Sequence, residues 1–110
     1  MSIVRTICHF LSDKPNQNLP ANAILIDVRS SLEFNTGRLQ GAISIPLDQI
    51  SMTIANLVPD KASPIIVYCQ SGMRSASAKN TLLRLGYSNV INGGGLFVLS
   101  QRLAIAINNN

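Results

Sequence analysis

The segment richest in chemistry is Val67-Tyr68-Cys69-Gln70-Ser71-Gly72-Met73-Arg74-Ser75. A continuous apolar run, Ile65-Ile66-Val67-Tyr68, delivers Cys69 to a stretch of small, polar and cationic residues, and the helix-spaced Ala78, Leu82 and Leu85 follow. A free thiol ionises near pH ~8.5, and a helix N-terminus or a neighbouring cation lowers that value and favours the nucleophilic thiolate. Arg74 supplies a permanent positive charge within the same loop. Gly72 permits the backbone angles at which successive N–H groups point inward as an anion nest. A thiolate ringed by donors attacks an electrophilic sulfur and holds it as a persulfide, because donors that stabilise one anion stabilise the other. An isolated cysteine ending an apolar strand is usually a small buried hydrophobe. Here the polar and cationic residues after Cys69 weigh against that reading.

The elements around this loop must bring it to an accessible edge. Ala23-Ile24-Leu25-Ile26 is a continuous apolar run that suits a buried parallel strand, with Asp27 at its carboxyl end. Ile43-Ser44-Ile45 is a second strand, closed by Pro46. Asp48 is the expected cap of a helix carrying Ile50, Ile54 and Leu57 on one face, with Pro59 just past its end. Residues 65–68 form the strongest strand, and the helix after the cysteine loop stops at Gly86. Asn89-Val90-Ile91 is a short strand, Leu96, Leu99, Leu103 and Ile107 pattern a final helix, and residues 108–110 read as a frayed tail. At the other end, Ile3, Ile7, Phe10 and Leu11 space a short amphipathic helix, and residues 15–22 read as a loop. Strands alternating with helices predict an α/β domain with a mostly parallel sheet and helices on both faces. Ligands of such sheets bind at the carboxyl ends of the strands, which is where Cys69 falls.

Composition narrows the partners. A chain of 110 residues with 46% hydrophobic and 13% charged residues can bury a core, and it is expected to form one domain over residues 1–110. No stretch approaches the ~20 apolar residues of a membrane-spanning helix. The formal charge of +4 favours anions, but the nine basic residues do not cluster and aromatic residues for base stacking are few. A small anionic substrate explains that balance equally well; no nucleic-acid or membrane partner is expected, and nothing demands more than a monomer. Cys8 and Cys69 form neither a metal-ligand spacing nor a disulfide framework, so free thiols in a reducing compartment, the cytoplasm, are the expectation. Arg5, the apolar Thr6–Leu11 run and Ala21-Asn22-Ala23 sketch an export signal that polar residues interrupt, so a periplasmic location is the lesser alternative. Cys8 reads as helix-face packing and His9 as a residue without a catalytic partner.

From about Ile24 to Leu99 the chain resembles the rhodanese family. The resemblance rests on Asp27-Val28-Arg29 followed by the acidic-aromatic pair Glu33-Phe34. It continues through Gly37-Arg38-Leu39-Gln40-Gly41-Ala42 running into Ile45-Pro46, then the active loop Cys69-x-x-Gly72-x-Arg74-Ser75, then Gly93-Gly94-Gly95 before the last helix. Among small members the chain looks most like the one-domain thiosulfate sulfurtransferases. The resemblance implies a rhodanese-like three-layer fold and a two-step reaction. Cys69 takes the outer sulfur of thiosulfate, sulfite leaves, and the persulfide passes its sulfur to cyanide or another thiophilic acceptor. It implies that Arg74 holds the sulfonate, that the backbone of Gln70, Ser71, Gly72, Met73 and Ser75 cradles the persulfide, and that no metal or organic cofactor is needed. Asp27 and Arg29 are read as a structural charge pair, and Gly94 with its neighbours as the turn that lets the chain approach the loop.

Arg74 stands five positions after Cys69, whereas related phosphatases place it six positions on; the shorter cradle suits one sulfur atom, which argues against phosphatase or arsenate-reductase-like chemistry. The sequence departs from the family pattern in three places. Gln70 and Met73 are neutral where many thiosulfate-active members carry a second basic residue, Arg38 replaces the usual histidine, and Leu96 replaces an aromatic. The neutral loop keeps open a persulfide relay that docks on a protein partner.

Overall fold

The computed structural model describes residues 19–109. Six strands run in chain order: β1 (Ile24–Asp27), β2 (Arg38–Leu39), β3 (Ile43–Ser44), β4 (Ile65–Cys69), β5 (Val90–Gly95) and β6 (Ile107–Asn108). Four α-helices are interleaved with them: α1 (Ser31–Thr36), α2 (Ile50–Leu57), α3 (Met73–Arg84) and α4 (Leu96–Leu103). The main sheet has the order β3-β1-β4-β5 and every pairing in it is parallel. This is the α/β architecture expected, a mostly parallel sheet between helical layers.

The all-apolar β4 follows from its place inside that sandwich. Side chains alternate across a strand, so Ile65, Val67 and Cys69 join Ile26, Val28, Ile50, Ile54, Ala78 and Leu82 on the α2/α3 face. Ile66 and Tyr68 join Leu25, Leu39, Ile91, Leu96 and Leu99 on the α4 face. With both faces covered, no position of the strand is left for a polar residue. The Tyr68 hydroxyl is satisfied by the Leu39 N–H at 3.1 Å, and burial raises its pKa above the ordinary phenol range.

Helix α3 ends as its glycine predicts. Gly86 takes a left-handed φ of 101°, the Tyr87 N–H returns to the Leu82 carbonyl and the Gly86 N–H to that of Leu83. This double return satisfies carbonyls that a helix end leaves open.

Several expectations need correction. The final helix does not reach Ile107. It closes at Leu103 with Ala104 in the left-handed region, where the Ser100 hydroxyl donates to the Ile105 carbonyl and the Ile105 N–H returns to the Ser100 carbonyl. Nor is Asn108 part of a frayed tail: Ile107 and Asn108 form β6, which pairs antiparallel with β2 through Arg38↔Asn108 and Leu39↔Ile107. Asp48 does not cap α2 with its side chain but lies inside a 3-10 turn, Leu47–Gln49, that leads into the helix. Helix α1 was not anticipated at all. The amphipathic helix expected around residues 3–11, with Cys8 and His9, lies outside the described residues. Among the described residues, no helix is long and apolar enough to cross a membrane.

Candidate active site

Cys69 ends β4 and is almost wholly buried, with 1% of its surface exposed. The chain then leaves the sheet through Gln70 and Ser71 and enters α3 at Met73, with Gly72 as the capping residue at a φ of 102°. That left-handed turn aims the Gly72 N–H back at the Cys69 Sγ, 2.9 Å away. A residue with a Cβ is strained there, and the added carbon would also stand 3.4 Å from the Gly94 Cα. Sulfur therefore sits at the N-terminal end of a twelve-residue helix, where free N–H groups and the helix dipole favour an anion.

A second donor group stands on the same side. The buried Ser75 hydroxyl is 3.5 Å from Sγ, 3.1 Å from the Gly72 carbonyl and 2.7 Å from Asn92 Oδ1. Asn92 is held in turn by the Gly94 N–H, which donates to Oδ1 at 3.0 Å, while its Nδ2 donates to the Gly72 carbonyl at 3.3 Å. A serine hydroxyl has one proton. With Asn92 as its closest acceptor, Ser75 offers a lone pair to the protonated thiol and can turn its proton to Sγ once the thiol ionises. Burial pushes the Cys69 thiol up, but hydrogen bonds from the Ser75 hydroxyl and from the backbone of Ser75, Gly72 and Ser71 outweigh it, and the net shift is downward.

The glycine run beside the loop creates room for it. Val67 pairs with Asn92 but Cys69 pairs with Gly95, so β5 spends one extra residue as a bulge next to the loop. Gly94 supplies the left-handed angle, with a φ of 84°. Gly95 runs under the loop so closely that a Cβ there would collide with the Gln70 carbonyl.

The remaining expected residues fall into two groups. Asp27 and Arg29 form a buried clasp: Arg29 Nε lies 3.0 and 3.1 Å from the two carboxylate oxygens, Nη2 is 2.7 Å from Oδ2, and the Arg29 backbone N–H donates to Oδ1 at 2.9 Å. Nη2 also donates to the Gly37 carbonyl, and Nη1 reaches Gln70 Oε1 at 3.3 Å. Gln70 is thus tied to the Arg29 clasp by its side chain, while Met73 is 80% exposed at the loop's outer rim. Arg74 does not turn toward Sγ in a direct contact. It forms a bidentate pair with Glu33, Nη1 to Oε1 at 2.7 Å and Nη2 to Oε2 at 3.0 Å. Leu96 packs into the core cluster of the α4 face. Arg38, in the place of the family's histidine, lies over the Phe34 ring at 4.9 Å.

Sequence reasoning missed Asn92. Its signal was a polar residue interrupting the apolar Val90-Ile91 strand just before three glycines. Among the described residues, no group of three His, Cys, Asp or Glu side chains gathers to hold a metal ion.

A rhodanese-like domain model matches residues 11–97. The chain belongs to the rhodanese family. It is 45% identical over 71 residues to the thiosulfate sulfurtransferase PspE of Escherichia coli (strain K12), which covers 64% of this chain and 68% of that protein. It is also 31% identical over 101 residues to a tRNA uridine(34) hydroxylase of Yersinia enterocolitica, covering 86% of this chain but only 29% of that longer protein. Among solved structures, a rhodanese with anions from E. coli superposes with a TM-score of 0.71 at 38% identity, covering 80% of this chain and 99% of the other. A rhodanese-like domain from an Anabaena sp. protein, at 22% identity, shares the fold with a TM-score of 0.68, covering 78% and 98%.

Proposed function

We propose that this rhodanese is a sulfurtransferase that carries a sulfane sulfur from thiosulfate, or from a persulfide donor, through a Cys69 persulfide to cyanide or a thiol. The observation that carries the reading is the seat of the sulfur atom: Sγ accepts the Gly72 N–H at 2.9 Å and stands beside the Ser75 hydroxyl, at the head of α3. These donors favour a thiolate, and after transfer they favour the terminal sulfur of a persulfide in the same cradle. The six-residue loop from Cys69 to Arg74 is one residue shorter than the phosphatase cradle, which by analogy supports sulfur over phosphate. Likeness to a thiosulfate sulfurtransferase over two thirds of that protein supports thiosulfate as donor. The hydroxylase likeness, confined to under a third of a longer protein, supports the family alone.

In the first half-reaction the Cys69 thiolate bonds to the outer sulfur of thiosulfate, and the S–S bond to the sulfonate sulfur breaks with its electron pair leaving on sulfite. In the second, a thiophile attacks the outer sulfur of the persulfide and the thiolate returns. One further reading has its own support. Met73 is 80%, Leu32 79% and Phe97 62% exposed. Met73 lies within the loop, Leu32 precedes the Glu33 that grips Arg74, and Phe97 stands two residues after the Gly95 that runs beneath the loop. Exposed apolar side chains in these segments support a persulfide relay to a protein partner.

Intact-mass spectrometry before and after thiosulfate tests the proposal, with Cys69→Ser as control. A gain of one sulfur on the wild type only, discharged by cyanide, is the expected result. No gain with thiosulfate, but a gain from a protein persulfide, would replace the small-molecule reading with the relay. No gain from either would overturn both.

A further inference from the structure

The acidic-aromatic pair Glu33-Phe34 has so far had no part in the chemistry. Glu33 is the third residue of α1 and closes a reciprocal cap: the Ser30 N–H donates to Oε1 at 3.0 Å and the Glu33 N–H donates to Ser30 Oγ at 3.1 Å. The cap fixes the carboxylate in place, and both of its oxygens then receive the Arg74 guanidinium, at 2.7 and 3.0 Å. The cation that the active loop carries is thereby matched by an anion from a different helix before any donor arrives. The pair stays accessible, with the two side chains 39% and 35% exposed.

Charge decides what this arrangement favours. Arg74 and Glu33 cancel, which leaves the Cys69 thiolate as the excess charge among these three groups. Thiosulfate brings two negative charges to that thiolate, and both remain at the site until sulfite departs. A hydropersulfide with an uncharged R group reacts in its protonated form, R–S–SH, which is neutral. Its terminal sulfur bonds to Sγ, the R–S to S bond breaks, and its electron pair leaves as R–S⁻, so one negative charge is present throughout. Like-charge repulsion at close range in a partly desolvated cleft costs far more than in water.

We propose that Glu33 is a specificity-determining residue: by holding Arg74 in a neutral pair it disfavours doubly charged sulfur donors and tilts the site toward hydropersulfides. The inference rests on the sulfur-transfer reading above. Neutral Gln70 and Met73 add no second cation within the loop to offset the pairing.

Glu33→Gln separates charge from structure. Glutamine serves the same capping role through its amide oxygen but brings no charge to Arg74. The rates to compare are those of Cys69 persulfidation in wild type and Glu33→Gln, with thiosulfate and with the hydropersulfide of N-acetylcysteine methyl ester, whose R group carries no charge. The expected result is a rise of about tenfold in kcat/KM for thiosulfate, the order that one unit charge near the surface supplies. That rise lies in KM, shrinks as salt is added, and exceeds any change with the hydropersulfide by several-fold. Adding Arg74→Gln to Glu33→Gln should abolish the gain. An unchanged or lower thiosulfate kcat/KM in a variant that still takes sulfur from the hydropersulfide would overturn the inference and leave sulfur transfer standing. A wild type that takes sulfur from neither donor would overturn the sulfur-transfer reading and the inference with it.

Discussion

Two arginine–carboxylate pairs flank the loop, built from the same groups at the same closest distance of 2.7 Å, and they do different work. Arg29 and Asp27 are sealed in, with side chains 3% and 0% exposed; Arg74 and Glu33 face solvent at 39% and 35%. The sealed pair has no water to fall back on, so every polar atom must be answered within the protein. Asp27, the Gly37 carbonyl and Gln70 supply those answers. The outer pair keeps water as an alternative partner at small cost. Distance alone would rank the two as equals, whereas burial separates a sealed fastening from a pair in contact with solvent.

The largest effect should come from breaking the inner pair. Asp27→Ala strands a buried guanidinium, and losing one partner of such a pair costs about 3–5 kcal/mol. Urea unfolding should show the midpoint falling accordingly, and a change below about 1 kcal/mol, the level of an exposed pair, would erase the distinction. A middle-sized effect should come from the neutral brace that joins neither pair. Asn92→Ala removes the acceptor that holds Ser75 and the donor to the Gly72 carbonyl. The pH midpoint of Cys69 alkylation should then rise toward the ordinary thiol value, with labelling near neutrality slowed several-fold and stability lowered by about 1–3 kcal/mol. An unmoved midpoint would mean that backbone N–H groups alone set the thiol.

The smallest effect concerns the outer pair and acid. The Arg74 guanidinium, with the Ser30 backbone N–H, holds the Glu33 carboxyl at about 2, below its usual 4.5. A depressed carboxyl contributes stability that is complete above the unfolded value and is lost as pH falls through the folded one. The stability gap between wild type and Glu33→Gln should therefore be at most about 1 kcal/mol at neutral pH. It should close between about pH 4.5 and about pH 2. A gap that stays constant through that window would show that charge has no part in it.

What the sequence made legible follows the same division between local pattern and distant contact. Strand β4 and its cysteine were readable because burial on both faces forces an unbroken apolar run. The loop was readable because its cation, glycine and serine stand within a few residues of Cys69. Helix α1 was not, since its six residues bury no side chain and rest on the Ser30–Glu33 cap, with no apolar period to announce them. Ile107 kept the period of α4 and so looked helical. What diverts it is Ala104 turning left-handed at a φ of 54° and a strand partner nearly the whole domain away. The Asn92–Ser75 and Glu33–Arg74 contacts stayed hidden for one reason: each joins residues far apart in the chain, and spacing carries no record of it.

That distant strand partner has a consequence for synthesis. Arg38 pairs with Asn108, and the Asn109 side chain closes over Gly37, where a Cβ would meet its Oδ1 at 3.0 Å. Gly37 is also the residue whose carbonyl anchors Arg29. A nascent chain emerges in order from its N-terminus. The segment that closes over Gly37, whose carbonyl anchors Arg29, is thus made after every strand of the main sheet. Until residues 107–109 emerge, β2 has no strand partner and Gly37 lies uncovered.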